Sequence, residues 1–278
     1  MKNIIKETLI FTVLTLYLFY SIKYNSYIVL KVSNTIEIWI NKIIPSLFPT
    51  LIIVDIIYNT KIPLYIEKYL HINSLYILSI ISGSPTNAYI LTNYNEDITK
   101  HLSVTKYTSP IFTYTFLKAI FNTKIALILM SLNILSNIIL IILIKPKKLK
   151  YTYQKKEIST IITNSIKKTI NTLITILGTL IFFNTLPTNL IKNKYLKTII
   201  LSITEITTSL TNLTNITLPI NYKILFTIIS LSTCGLCIET QIKSIISDTQ
   251  INYNKYINYR LFHLLIYLLL IIVITPIL

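Results

Sequence analysis

The chain has 278 residues, of which 53% are hydrophobic and only 13% charged, with a formal net charge of +16 at pH 7. An ordinary soluble domain carries about a quarter charged residues, so this composition leaves too little polar surface to coat a water-soluble core and argues against a soluble enzyme. At roughly 20 residues per crossing, the length supplies on the order of eight to ten membrane segments with short loops and no separate soluble domain.

In a soluble chain such a positive charge would point to nucleic acid. Here the lysines cluster between apolar runs, where they read as topology signals and contacts to anionic lipid, and no nucleic-acid partner is expected. The sequence is rich in Ile, Lys, Asn, Tyr and Thr and holds only three glycines, Gly83, Gly178 and Gly235. Against that background a glycine marks a position needing positive φ or close helix contact.

The first apolar run, Leu9 to Leu30, follows Lys2, Lys6 and Glu7 and reads as an uncleaved transmembrane helix, because no small-residue cleavage site follows it. A second run begins near Ile36 and carries Pro45 and Pro49, which predict a kink or a break before Leu51 to Ile57. Residues 62–72, with Glu67, Lys68 and His71, suit a short interfacial helix. The next stretch, from Ser74, is interrupted at Ser82 to Asn87, and a second interruption follows at Thr108, Ser109 and Pro110. An apolar run split by Gly-Ser-Pro-Thr predicts a discontinuous or re-entrant membrane helix.

Ile125 to Ile144 is a full-length transmembrane segment ending in the most basic stretch, Lys145 to Lys156, which the positive-inside rule assigns to the cytoplasm. Ile158 to Leu186 reads as a long helix closed by Pro187, and further helices are expected over about 196–217, 222–246 and 258–275. The basic loop thus divides the chain into halves of similar plan, each with two polar interruptions followed by an apolar helix, which predicts a twofold internal repeat. The expected organisation is a transmembrane helix over 1–35, a first membrane repeat over 36–144, a cytoplasmic basic loop over 145–157 and a second repeat over 158–278. The fold class is an all-α polytopic membrane bundle with broken or re-entrant helices.

A break at membrane depth leaves backbone groups to be satisfied by protein, water or a ligand. Gly83, Ser84, Pro85, Thr86 and Asn87 are therefore candidate ligand-binding residues, and so are Ser109 and Pro110; the bland alternative is a plain interhelical turn. Glu205 follows an apolar stretch and precedes Thr207 and Thr208. A carboxylate in the bilayer costs several kcal/mol and usually faces a polar cavity, a cation or a proton path; the alternative is an interfacial Glu partnered by or solvated near Lys194 and Lys197. Gly235, Glu239 and Gln241 occupy a similar setting and extend the polar site between the repeats, while Asp55 is a weaker candidate. Cys234 and Cys237 form a lone C-x-x-C that reads as two small helix residues, and His71, His101 and His263 have no ligand-like spacing. No catalytic constellation, metal site or cofactor motif is expected.

The order Trp39, Ile44, Pro45, Ser46, Leu47, Phe48, Pro49, then Ser82 to Thr86, then Ser109 to Phe112, resembles the sporulation integral membrane protein YlbJ and the nucleoside-recognition, or Gate, domain proteins. The second half agrees through Glu205 to Thr208 and Cys234 to Gln241, so the similarity spans nearly the whole chain. Ser84, Asn87 and Tyr89 depart from the family's usual Tyr, Gly and Lys, as do Ser109 and Cys234 from its usual Asn and Gly. The resemblance implies a multi-pass protein of the bacterial cell membrane, required for spore cortex or envelope formation and reminiscent of nucleoside transporters. Together these readings predict a transporter-like, non-enzymatic protein that binds or passes an unidentified small solute in the bilayer, with homo-oligomerisation left open. The alternatives are a membrane scaffold that recruits envelope-building enzymes through the basic loop, and a solute transporter unrelated to sporulation.

Overall fold

The computed structural model describes residues 2–274, apart from 93, 95, 150, 152, 154 and 248, and among these the chain is helical without a strand. It opens with α1 (Lys2–Lys23), which passes at Tyr24 into α2 (Asn25–Ile38), so the expected single helix over Leu9 to Leu30 is divided. A π-helical turn, Trp39–Ile43, leads into α3 (Ile44–Tyr58), and residues 25–58 form one uninterrupted helical span. Of the kink or break expected at the prolines, a break is absent. Pro45 sits in the first turn of α3 and Pro49 inside it, and the π turn ahead of them shifts the hydrogen-bond register where a proline N–H is missing. Ser46 Oγ donates to the Ile43 carbonyl at 3.1 Å and Thr50 Oγ1 to that of Leu47 at 2.9 Å, local bonds that satisfy these buried hydroxyls within the span. The expected boundary at residue 35 therefore falls within a helix.

The short α4 (Ile62–Leu70) ends at His71 in the left-handed region and is followed by α5 (Ser74–Ser82), α6 (Thr86–Leu91), α7 (Thr99–Val104) and α8 (Pro110–Ile120). Then come α9 (Thr123–Ile144), α10 (Ile158–Asn184), α11 (Lys194–Thr204), α12 (Ile206–Asn215), α13 (Ile220–Thr233), α14 (Gly235–Ile245) and α15 (Tyr253–Ile274). The single helices expected over 196–217 and 222–246 are each two. Glu205 has an extended backbone (φ −152°, ψ 119°), and Cys234 (φ 56°) and Gly235 (φ 79°) are left-handed. A break one or two residues long leaves the apolar pattern on either side intact, so periodicity does not reveal it.

The four interrupted pairs are of two kinds. α11 and α12 form an antiparallel hairpin: Lys194 Nζ donates to the Thr217 carbonyl at 3.2 Å, Asn212 Nδ2 donates to Thr198 Oγ1 at 3.2 Å, and the Ser202 and Ser209 hydroxyls meet at 3.0 Å. α5 likewise lies back against α6. The pairs α7–α8 and α13–α14 instead run on past their breaks.

Among the described residues, five helical spans are long and apolar enough to cross a membrane: 25–58, 123–144, 158–190, 220–245 and 253–274. Their packing inverts that of a soluble protein. α9 buries Asn133, Ser136 and Asn137 while exposing Leu135, Ile138, Ile142 and Leu143. α15 buries Arg260 and His263 and exposes Leu261, Phe262, Leu265 and Leu269. Polar groups inside and large aliphatic groups outside are stable only where the surroundings are hydrocarbon, so the architecture is that of a multi-pass membrane protein. α9 and α15 pack antiparallel, with Arg260 Nη1 donating to Asn137 Oδ1 at 3.1 Å and Tyr267 OH donating to the Leu129 carbonyl at 2.7 Å. The 25–58 span is antiparallel to α10, through Trp39 Nε1 donating to the Leu173 carbonyl at 3.1 Å and Lys168 Nζ on Asp55 Oδ1 at 2.6 Å.

Candidate functional site

The site is built by two close approaches of backbone. An added Cβ at Gly83 (φ +73°) would stand 2.4 Å from the Ser109 nitrogen, and one at Gly235 (φ +79°) would stand 2.9 Å from the Thr204 carbonyl oxygen and 3.0 Å from Glu205 Cα. Only glycine fits at either place, by backbone conformation and by space. The tip of the α5–α6 hairpin is thus seated on the α7–α8 break, with the Ser84 N–H donating to the Tyr107 carbonyl at 2.7 Å. The tip of the α11–α12 hairpin is seated in the same way on the α13–α14 break, where Thr233 Oγ1 donates to the Ser202 carbonyl at 3.1 Å.

α8 packs against α12 and α6 against α14, which brings the two seats together around a cavity of about 40 Å³. Its polar wall is Ser84, Thr108, Ser109, Glu205, Thr207 and Gln241, and its apolar wall includes Ile43, Leu47, Phe112, Ile176 and Leu180. The Ser84 and Ser109 hydroxyls and Gln241 Oε1 have no protein partner, whereas Gln241 Nε2 donates to Thr179 Oγ1 at 2.5 Å. Each unpartnered buried polar atom costs about 1–3 kcal/mol, so three of them on one small cavity mark a place where water or a ligand completes the bonding. At about 40 Å³ the space holds a few water molecules.

Glu205 is almost wholly buried, and its carboxylate caps α12. It accepts from the Thr207 N–H at 2.7 Å and from both the Thr208 N–H and the Thr208 Oγ1, the last at 2.6 Å. Its carboxyl oxygens satisfy the first amides of the helix and shape the hairpin tip as well as the cavity wall. Ser109 stands at the corresponding place before α8 without a side-chain cap, so that helix end is left for whatever fills the cavity.

The structure therefore brings together Ser84, Ser109, Glu205, Thr207 and Gln241, with Gly83 and Gly235 setting the approaches. Pro85 and Pro110 begin the next helices and do not line the cavity. Thr86 and Asn87 are buried to one side, Asn87 Nδ2 donating to Thr105 Oγ1 at 3.1 Å. Thr208 faces a crevice of about 10 Å³ with Thr35 and Asn184. Glu239 does not join the others: it turns toward α15 and pairs with Lys106, because Cys237 and Gln241 occupy the face of α14 that meets the cavity. Asp55 accepts from Lys168 Nζ and from Ser165 Oγ at 2.7 Å, an interhelical ion pair away from the cavity.

Sequence reasoning missed Lys106, which is 1% exposed in its side chain, and Arg260. A lysine beside a polar interruption looks like a loop charge, and the mostly polar residues 101–110 give no sign that it is buried; the available signal was Glu239, a carboxylate close to Leu236 and Ile238 that needs a partner. Cys234 and Cys237 are buried and unpaired, and His263 accepts from Arg260 Nη2 at Nδ1 and meets the Ser136 hydroxyl at Nε2. Comparison of the chain with protein-family models, with curated proteins and with solved structures finds no match.

Proposed function

We propose that this chain is a transporter-like membrane protein that binds a small polar solute where the two hairpin tips and two broken helices meet. The observation that carries the reading is the convergence of three unpartnered polar atoms, on Ser84, Ser109 and Gln241, with Glu205 on one small cavity. The halves support an inverted twofold repeat of the kind used for alternating access. Each has a long helix, a hairpin, a broken helix and a second long helix, and the contacts correspond: α8 with α12 as α14 with α6, and α7 with α15 as α13 with α9. The equivalent long helices, the 25–58 span with α10 and α9 with α15, run antiparallel, as inversion requires. On this reading α5–α6 and α11–α12 are re-entrant from opposite faces.

The resemblance to YlbJ and Gate-domain proteins adds the proposal of a role in spore envelope formation and makes a nucleoside the first solute to try. The basic loop does not favour the scaffold alternative, since Leu149 is buried, its carbonyl accepts from Asn73 Nδ2 at 3.4 Å, and the Tyr151 hydroxyl donates to the Thr60 carbonyl at 3.0 Å. The test is uptake of uridine and a panel of small polar solutes into proteoliposomes. Ser109→Val and Gln241→Leu should each lower uptake about tenfold, the value of roughly one hydrogen bond, with the protein still folded. A deletion strain complemented fully by these variants, but not by one with the loop lysines neutralised, would establish the scaffold instead.

A further inference from the structure

A second cavity, of about 300 Å³, lies between α11, α14 and α15, and its chemistry differs from that of the broken-helix site. Lys106, Glu239 and Arg260 line it with the hydroxyl-bearing Tyr253 and Tyr256, while Ile203, Leu236, Ile257 and Leu261 form an apolar rim exposed on the outside of the bundle. Glu239 is fully engaged: it accepts from Lys106, from the Tyr256 hydroxyl at 2.9 Å and from the Tyr253 hydroxyl at 3.3 Å. Arg260 has neutral partners alone among the described residues, the Ser103 carbonyl at 2.9 Å, the Ser232 carbonyl at 2.6 Å, Asn137 Oδ1 and His263 Nδ1, and its Nε has no partner. The cavity thus holds two fixed cations and one carboxylate, an excess positive charge in a region that hydrocarbon surrounds, which is costly unless an anion balances it.

We propose that this cavity is a lateral binding site for the headgroup of an anionic phospholipid from the leaflet that faces the basic loop. Two observations select a lipid over a solute. The mouth is walled by aliphatic side chains on the bilayer-facing surface, which suits acyl chains. α15 also enters the bundle on the basic-loop side, where the Asn252 N–H donates to Thr99 Oγ1 at 2.9 Å and Lys100 Nζ to the Ile144 carbonyl at 2.9 Å. Arg260, seven residues into α15, lies about 10 Å below that entrance, and Lys243, stacked over the Tyr253 ring at 5.3 Å, flanks it. The phosphate would be held by the Arg260 guanidinium, with the tyrosine hydroxyls beside it.

The test is native mass spectrometry of the protein released from micelles of equimolar phosphatidylglycerol and phosphatidylcholine. The expected result is one retained phosphatidylglycerol, about tenfold over phosphatidylcholine. Leu261→Trp, which plugs the mouth and touches no hydrogen bond, should abolish the preference, and Arg260→Gln should do the same. Because loss of Arg260 removes bonds to three elements and can unfold the chain, the Leu261 variant carries the decision. Equal retention of both lipids by the wild type, or an undiminished preference in the Leu261 variant, would overturn the proposal. Release of the bound lipid by millimolar inorganic phosphate would reassign the site to a soluble anion.

Discussion

At Gly83 the backbone lies at φ 73° and ψ −177°, a region essentially closed to other residues, and the Ser109 nitrogen occupies the space a side chain would need. Gly83→Ala should therefore destabilise the protein by about 1–3 kcal/mol from backbone strain, with a further penalty of similar size for the overpacked contact. Gly178 offers the internal control, since it lies within α10 and nothing stands within 4 Å of an added Cβ. Gly178→Ala should be neutral or stabilising by up to about 1 kcal/mol, the helix preference for alanine. Thermal unfolding of both variants in the same detergent checks the pair, and similar losses at the two positions would show that the Gly83–Ser109 approach is not close. Two of the three glycines thus mark chain breaks that seat hairpins, a role legible in the sequence because so few glycines are present; what each would touch was not, since Ser109 lies 26 positions along the chain.

Among the helices, the interruptions fall into those the sequence displays and those it hides. Ser82 to Asn87 and Thr108 to Pro110 contain Gly and Pro, residues that break helices by their own chemistry. The break at Glu205 depends on a side chain reaching the Thr207 and Thr208 amides, a tertiary and capping choice that leaves Leu201 to Leu210 looking like continuous helix. The Lys106–Glu239 pair was hidden for a similar reason, each charge being unremarkable until α14 is laid against the α7–α8 break. Removing one member strands a buried charge, so Lys106→Met or Glu239→Leu alone should cost about 3–5 kcal/mol. The double variant should recover most of that loss, because an apolar pair of similar volume leaves no unpaired charge behind. Unfolding midpoints for the two singles and the double close the cycle, and additive losses would mean the pair contributes nothing as a pair.

At the scale of the whole molecule, hydrogen bonds sort the loops onto two faces. Residues 58–60, 73, 99–100 and 252 connect with one another or with 144–156 on one face, while 185–194 and 217 gather on the other beside Tyr17 and Tyr20 of α1. The positive-inside rule predicts that the first face is cytoplasmic, and an inverted repeat would then require both ends of the α11–α12 hairpin, Lys194 and Asn215, to emerge outside. Both native cysteines are buried, and replacing Cys234 with Ser and Cys237 with Ala gives a background for single labels. Lys148→Cys should be shielded from a membrane-impermeant maleimide in intact cells and labelled in inverted vesicles. Thr217→Cys, on an exposed position, should show the reverse. Labelling of both from one side would mean that the hairpin and the basic loop share a face, which would remove the inversion and with it the case for alternating access between the two hairpin seats.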